Sequence, residues 1–164
     1  MIRKACKQDT GQLAAIYNHY VVNTIVTFDL DPVTTEWMDN RIDDVTARHP
    51  FLVCEKDGRI VGYAYAAKWS EKRGYAHTAE ITIYVAPHSV GKGHGSQLLS
   101  ALLNQLREMG MRCLLAGIAL PNPSSIALHE KFGFQKTARF PDIGVKFDKP
   151  VDVGYWRLQL QTDD

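Results

Sequence analysis

Little in this sequence is extreme, and each thing it lacks removes a class of protein. Only three of its 164 residues are cysteine: Cys6, Cys54 and Cys113. They are odd in number, widely spaced and without a CxxC pair, so a disulfide framework is not expected and a reducing cytosol fits best. Cys54 and Cys113 sit in apolar runs, where a thiol serves as an inert core residue. Net charge is also missing: 19 Lys and Arg face 18 Asp and Glu, leaving +1. That balance offers no electrostatic footprint for nucleic acid or an anionic membrane. No apolar run approaches the roughly 20 residues that span a bilayer. The opening MIRKACKQDT lacks the apolar stretch of a secretory signal, and a cytoplasmic protein is expected. There is no low-complexity segment and no repeat at a solenoid or propeller period.

What is present is enough apolar material for one ordinary domain over residues 1–164, since 45% of the chain is hydrophobic. The patterns predict a short strand at 1–4 and a helix after Asp9 carrying Leu13, Ile16, Tyr17 and Tyr20, with Asp9 as N-cap. A second helix starts near Thr34 or Thr35 and carries Trp37, Ile42 and Val45. Strands at 51–55 and 59–68 flank an Asp57-Gly58 turn, a strong hairpin signal. The clearest strand is 78–85. An amphipathic helix over 96–109 carries Leu98, Leu99, Leu102, Leu103 and Leu106, with Gly110 closing it. A strand at 111–120, a helix from Asn122 through Lys131 and strands at 134–140 and 153–161 complete the chain. The order β-α-α-β-β-β-α-β-α-β-β predicts a mixed α/β fold in one domain, its central sheet covered by helices on both faces.

The informative stretch is TAEITIYVAPHSVGKGHGSQLLSALL, in which a strand runs into a glycine-rich loop and then a helix. Such a loop lets backbone N–H groups converge on an anion at the helix N-terminus, where the helix dipole favours phosphate. The spacing Gly91-x-Gly93-x-Gly95 is neither GxGxxG nor GxxxxGK[ST], which argues against a dinucleotide fold and a P-loop NTPase. Alone, the loop divides evenly between a pyrophosphate site and a turn that merely needs positive φ.

The wider sequence resembles the GNAT N-acetyltransferase superfamily, whose acetyl-CoA signature is [QR]-x-x-G-x-[GA] between a strand and a helix. Here that segment is Val90-Gly91-Lys92-Gly93-His94-Gly95, with Val90 in place of the usual Gln or Arg. The backbone donors survive that change. Further pieces resemble the phosphinothricin acetyltransferase branch: IYNHY at 16–20, Phe28, GYAYAAKW at 62–69, Tyr75, HTAEITIYV at 77–85, LPNPSSIALHEKFGF at 120–134 and VDVGYW at 151–156. The resemblance implies a mostly antiparallel mixed sheet of GNAT type and acetyl-CoA as co-substrate. It also implies acetylation of the α-amino group of a glutamate-like compound, detoxification of a glutamine synthetase inhibitor, and a homodimer.

By the same resemblance, Glu80 is the general base and His129 a second catalytic residue. Val85, Val90, Gly91, Lys92, Gly93, His94, Gly95, Ser96, Asn122 and Ser125 bind acetyl-CoA. Phe28, Lys72, Tyr75, Tyr84 and Val153 line the acceptor pocket. Where the branch places basic residues after Trp69, this chain reads Ser70-Glu71-Lys72-Arg73. One basic position has become Ser70, and Lys72 stands where an arginine is usual, which is not a conservative change at a bidentate site. Methionine sulfone or sulfoximine is therefore as good an acceptor candidate as phosphinothricin.

The chemistry suits these residue types. An α-amino group of pKa near 8 is only about one tenth neutral at pH 7, so a base must take its proton. Strand alternation puts Thr78, Glu80, Thr82 and Tyr84 on a polar face and Ala79, Ile81, Ile83 and Val85 on the core face. Glu80 there is either half of an ordinary salt bridge or a desolvated base. His129 is either a histidine satisfied by its packing or a neutral imidazole beside the thioester. A backbone N–H near Val85 is the natural donor to the acyl oxygen. His77 and Glu80, three apart on a strand, point to opposite faces, and no metal is expected. Two other functions remain: a protein or peptide N-acetyltransferase, for which an acidic run is lacking, and a non-catalytic acyl-CoA-binding module, which would need neither Glu80 nor His129.

Overall fold

The computed structural model describes residues 1–160. In chain order the elements are β1 (Ile2–Lys4), α1 (Thr10–Asn23), α2 (Thr35–Thr46), β2 (Phe51–Lys56), β3 (Arg59–Lys68), β4 (Thr78–Val85), α3 (His94–Glu108), β5 (Cys113–Leu120), α4 (Pro123–Lys131), β6 (Gln135–Lys146) and β7 (Lys149–Gln159). This is the order that the sequence patterns predict. The expected last strand reached Gln161, which lies outside the described residues.

One sheet holds all seven strands in the order β1-β2-β3-β4-β5-β7-β6. Every pairing is antiparallel except β4 with β5. The parallel pair follows from the connection, because α3 carries the chain back across the sheet before β5 starts. The Asp57-Gly58 turn closes the β2–β3 hairpin, with Lys56 opposite Arg59. The β6–β7 hairpin is longer than expected. Phe147 and Asp148 make its turn at φ 53° and 58°, and Pro141 within β6 sits on an edge strand beside a register shift. A turn without Gly or Asn, after a proline, carries no strong sequence signal.

Helices cover both faces, and each side has its own core. On one side Leu98, Leu99, Leu102, Leu103 and Leu106 of α3 pack on Ala64, Ile81, Leu114 and Trp156. Each of those leucines is fully buried, a gain of about 1.5–3 kcal/mol apiece. On the other side α1 and α2 supply Leu13, Ile16, Tyr17, Val21, Met38, Ile42 and Val45, packed on Phe51, Val53, Tyr63 and Tyr65.

Some expectations change. Asp9 stands before α1 but does not cap it. Its carboxylate takes two 2.8 Å hydrogen bonds from Arg3 and one of 2.9 Å from the Cys6 N–H, which ties β1 to the turn before the helix. Thr34 does cap α2, accepting from the Trp37 N–H at 3.1 Å. α3 starts at His94 rather than Ser96, because the last left-handed residue before it is Gly93 and not Gly95. Cys54 is buried, but Cys113 is only half-buried.

Candidate active site at the parting of two strands

β4 and β5 pair only from Thr78–Cys113 to Glu80–Leu115, while β4 stays paired with β3 as far as Val85 opposite Gly62. Beyond Glu80 the two strands part. The Ala86 N–H donates to the Val61 carbonyl at 2.9 Å, so Gly62–Val85 and Ala64–Ile83 are the pairs that exchange no bonds. The backbone polar groups of Ile83 and Val85 therefore face the opening between the strands. The Val85 carbonyl is already taken by the Tyr20 hydroxyl of α1 at 2.5 Å, and the Val85 N–H is left toward the opening.

A cleft of about 680 Å³ occupies this opening. Gly91 and Gly93 hold φ of 78° and 84°, which only glycine adopts without strain, and they turn the chain so that α3 starts against the cleft. The first intrahelical bond runs from the Gln97 N–H to the Gly93 carbonyl, leaving the N–H groups of His94, Gly95 and Ser96 without helical partners. These donors, with the dipole behind them, suit a pyrophosphate. Val85, Val90, Gly91, Gly93, His94, Gly95, Ser96, Asn122 and Ser125 all line the cleft, as the resemblance implied. Lys92 does not; it is exposed. Asn122 also caps α4, its carboxamide oxygen accepting from the Ser125 N–H at 3.2 Å, so only its amino group is free for a ligand. Tyr20, Thr24, Val26 and Lys131 line the cleft too. Tyr20 lay in a matching segment but read as an ordinary apolar helix position, and no sequence signal marked its hydroxyl.

A crevice of about 90 Å³ adjoins the cleft and is lined by Glu80, Tyr84, Gly117, Ser125 and His129 among others. Glu80 and His129 thus meet at one place, from a strand and a helix 49 positions apart. Among the described residues Glu80 makes no ion pair. Burial pushes its carboxyl up from the ordinary glutamate range, and the Arg41 charge offsets part of that. His129 is buried on the last turn of α4. Its Nδ1 lies 2.7 Å from the Ser125 carbonyl, which can only accept, so Nδ1 carries the proton and Nε2 keeps its lone pair. The Phe134 ring meets it edge-on at 5.2 Å, while the Phe134 N–H bonds the His129 carbonyl at 3.2 Å and the Gly133 N–H bonds the Glu130 carbonyl at 3.0 Å. That is a Schellman closure with its usual side-chain contact, and it fixes the imidazole. Burial pulls the His129 pKa down, the Ser125 bond resisting, so the ring is neutral at pH 7.

The expected polar face of β4 is not polar throughout. Tyr84 joins the α1 side, edge-on to Tyr17 at 5.3 Å and close to Tyr20 and Tyr63 at 5.2 and 5.5 Å. Conversely Val85, expected in the core, borders the cleft. Of the other acceptor candidates, Phe28 packs against Gly144 of β6, and Val153 is opposite Phe140 in the β6–β7 pair. Lys72 and Tyr75 are exposed in the loop after β3 and border neither opening. His77, close to Glu80 in sequence, turns to the Gly110 carbonyl at 3.1 Å.

A strand pair that opens over a glycine-turned helix N-terminus, with a desolvated carboxylate at the apex, is the architecture of an acyl-CoA-dependent acyltransferase. The family model described as acetyltransferase (GNAT) domain matches residues 2–154, and the chain belongs to that family. It is 39% identical over 163 residues to the L-amino acid N-acyltransferase MnaT of Escherichia coli K12, covering 97% of this chain and 93% of that protein. It is also 39% identical to the L-methionine sulfoximine/L-methionine sulfone acetyltransferase of Salmonella typhimurium LT2, covering 97% and 94%. The structure of a GNAT superfamily phosphinothricin acetyltransferase from Sinorhizobium meliloti in complex with acetyl-CoA superposes with a TM-score of 0.94 at 31% identity, covering 98% of this chain and 88% of that one. The chain is an N-acetyltransferase.

Proposed function

We propose that this chain, as one domain over residues 1–164, moves the acetyl group of acetyl-CoA to the α-amino group of a small amino-acid-like acceptor of the phosphinothricin, methionine sulfone or sulfoximine type. The observation that supports this most is the meeting of Glu80 and His129 on one crevice beside the glycine-turned cleft. The donor set fits acetyl-CoA. The N-terminus of α3 would hold its pyrophosphate, and the open edge of β4 at Ile83 and Val85 would pair with the amides of its arm. Bound there, it supplies a thioester carbonyl open to attack by an amine.

Glu80 takes the ammonium proton, its raised pKa bringing it nearer that task than an ordinary glutamate. The Val85 N–H donates to the acyl oxygen as charge develops there. Neutral His129, with Nε2 free, accepts a proton and returns it to the departing thiolate. Tyr20, by holding the Val85 carbonyl, fixes the peptide that follows in the strand. Exposed Ile143 and Val145 on edge strand β6 and Phe147 in the turn after it support a homodimer, and three cysteines that form no disulfide among the described residues fit a cytoplasmic site of action.

The test is thiol release from acetyl-CoA with phosphinothricin, methionine sulfone, methionine sulfoximine, ordinary amino acids and a basic peptide, on wild type and Glu80→Gln. Release with an amino-acid analogue, strongly reduced in the variant, is the expected result. Release with the peptide alone would move the reading to protein acetylation. Tight CoA binding without any release would leave a non-catalytic acyl-CoA module.

A further inference from the structure

β6 has one buried residue, and it is a lysine. Lys146 ends the strand at 3% exposure, although β6 lies at the edge of the sheet. Lysine is almost never buried to that degree unless something uses its ammonium group. Among the described residues it makes no ion pair. Its Nζ donates instead to two backbone carbonyls, that of Thr27 at 2.7 Å and that of Tyr20 at 3.4 Å. These acceptors lie 119 and 126 positions earlier in the chain.

The two carbonyls bracket a stretch that leaves α1 and has no regular structure. The Tyr20 carbonyl belongs to the last turn of α1, where the helix dipole favours a cation. The Thr24 N–H and hydroxyl also donate to it, at 3.2 and 2.8 Å. The Thr27 carbonyl has no other donor among the described residues. Thr27 is buried, so without Lys146 that oxygen would be bare and the chain would have to shift to reach water. The same hairpin makes a second contact here. The Phe28 ring sits 2.3 Å from where a Cβ on Gly144 would stand, so only glycine leaves room for it.

What lies between the carbonyls belongs to the site. Thr24, Ile25 and Val26 line the cleft, and Val26 also borders the crevice that holds Glu80 and His129. Tyr20 carries the hydroxyl that holds the Val85 carbonyl. Lys146 itself lines neither opening.

We propose that Lys146 is a positioning residue for the acetyl-CoA cleft. By holding the Tyr20 and Thr27 carbonyls it sets the wall at 24–26 and, through Tyr20, the strand end at Val85. The proposal rests on the cleft being the acetyl-CoA site and adds the group that shapes it from the edge of the sheet.

The experiment compares wild type with Lys146→Met, Lys146→Arg, Gly144→Ala, Tyr20→Phe and the pair Lys146→Met with Tyr20→Phe. Acetyl-CoA affinity is read by calorimetry and folding by the melting midpoint. Thiol release gives kcat and acceptor KM with the best acceptor of the amino-acid panel. Lys146→Met should weaken acetyl-CoA binding about tenfold and lower kcat about fivefold, with acceptor KM held within about twofold. Lys146→Arg keeps donors for both carbonyls and should recover most of the loss. Tyr20→Phe should add little once Lys146 is gone, because both act through Val85. Gly144→Ala displaces Phe28, which is 37% exposed and can turn outward, and should weaken binding about threefold. A folded Lys146→Met that melts early but binds acetyl-CoA like wild type overturns the proposal, as does full additivity with Tyr20→Phe. If Lys146→Met does not fold, unchanged affinity in Gly144→Ala overturns it. Wild type that binds no acetyl-CoA would sink the reading of the cleft itself, and the role of Lys146 with it.

Discussion

The two sides of the cleft are built from different material. On the proposed nucleotide side, the available groups are backbone: the first N–H groups of α3, the turn at Gly91 and Gly93, and the open edge of β4 at Ile83 and Val85. On the crevice beside it, the lining that carries the proposed chemistry is side chains: Glu80, Tyr84 and His129. Backbone donors exist whatever residue carries them, so that side tolerates Val90 where relatives of the signature have Gln or Arg. Side-chain contacts change with each substitution, so the acceptor side is where one fold acquires different substrates.

The comparison breaks first at Glu80. Glu80→Gln should lower kcat/KM by roughly 10²–10⁴-fold while acetyl-CoA affinity, read by calorimetry, stays put. The pH dependence carries a sign. The ionised carboxylate is the working form, and burial raises its pKa, so activity should fall on acidification at a higher pH than an ordinary glutamate would give. Glu80→Gln should erase that acid limb, and a limb that survives would assign it to another group.

Gly93→Val tests the opposite side. A β-branched residue at φ 84° costs about 1–2 kcal/mol, with open space around it and therefore no clash to confuse the result. Acetyl-CoA affinity should drop roughly 5–30-fold, with acceptor preference unchanged. A smaller effect, about fivefold in kcat/KM, is expected of Tyr20→Phe, which releases the Val85 carbonyl. Smallest of all is Val90→Gln. Position 90 is 53% exposed, and the new amide should shift acetyl-CoA affinity by no more than about twofold to threefold. A much larger gain would mean that side chains carry more of the nucleotide side than its backbone geometry indicates.

Much of this was legible in the residues. The Asp57-Gly58 hairpin, the leucine stripe of α3 and the alternation of Ala79 and Ile81 are local patterns, and each formed where the periodicity placed it. Asp9 was legible only in part. Its position marks the helix start, but Arg3 from the preceding strand competes for the carboxylate and wins with two charged hydrogen bonds. Tyr84 misled because alternation separates faces without saying what covers them, and α1 covers this one. The contact of Trp69 and Phe140 with Tyr155 had no signature, since the three come from a loop and two different strands.

By itself the sequence determined the order of elements, the glycine turn ahead of α3 and the presence of a carboxylate on the central strand. Those depend on residue type and on spacing within a few positions, which local backbone geometry fixes. Only the tertiary structure decided that β4 and β5 part after Glu80 and that His129 shares its crevice with the Nε2 lone pair free. Desolvation and convergence are properties of neighbours far apart in the chain, and no local pattern records which neighbours a fold will supply.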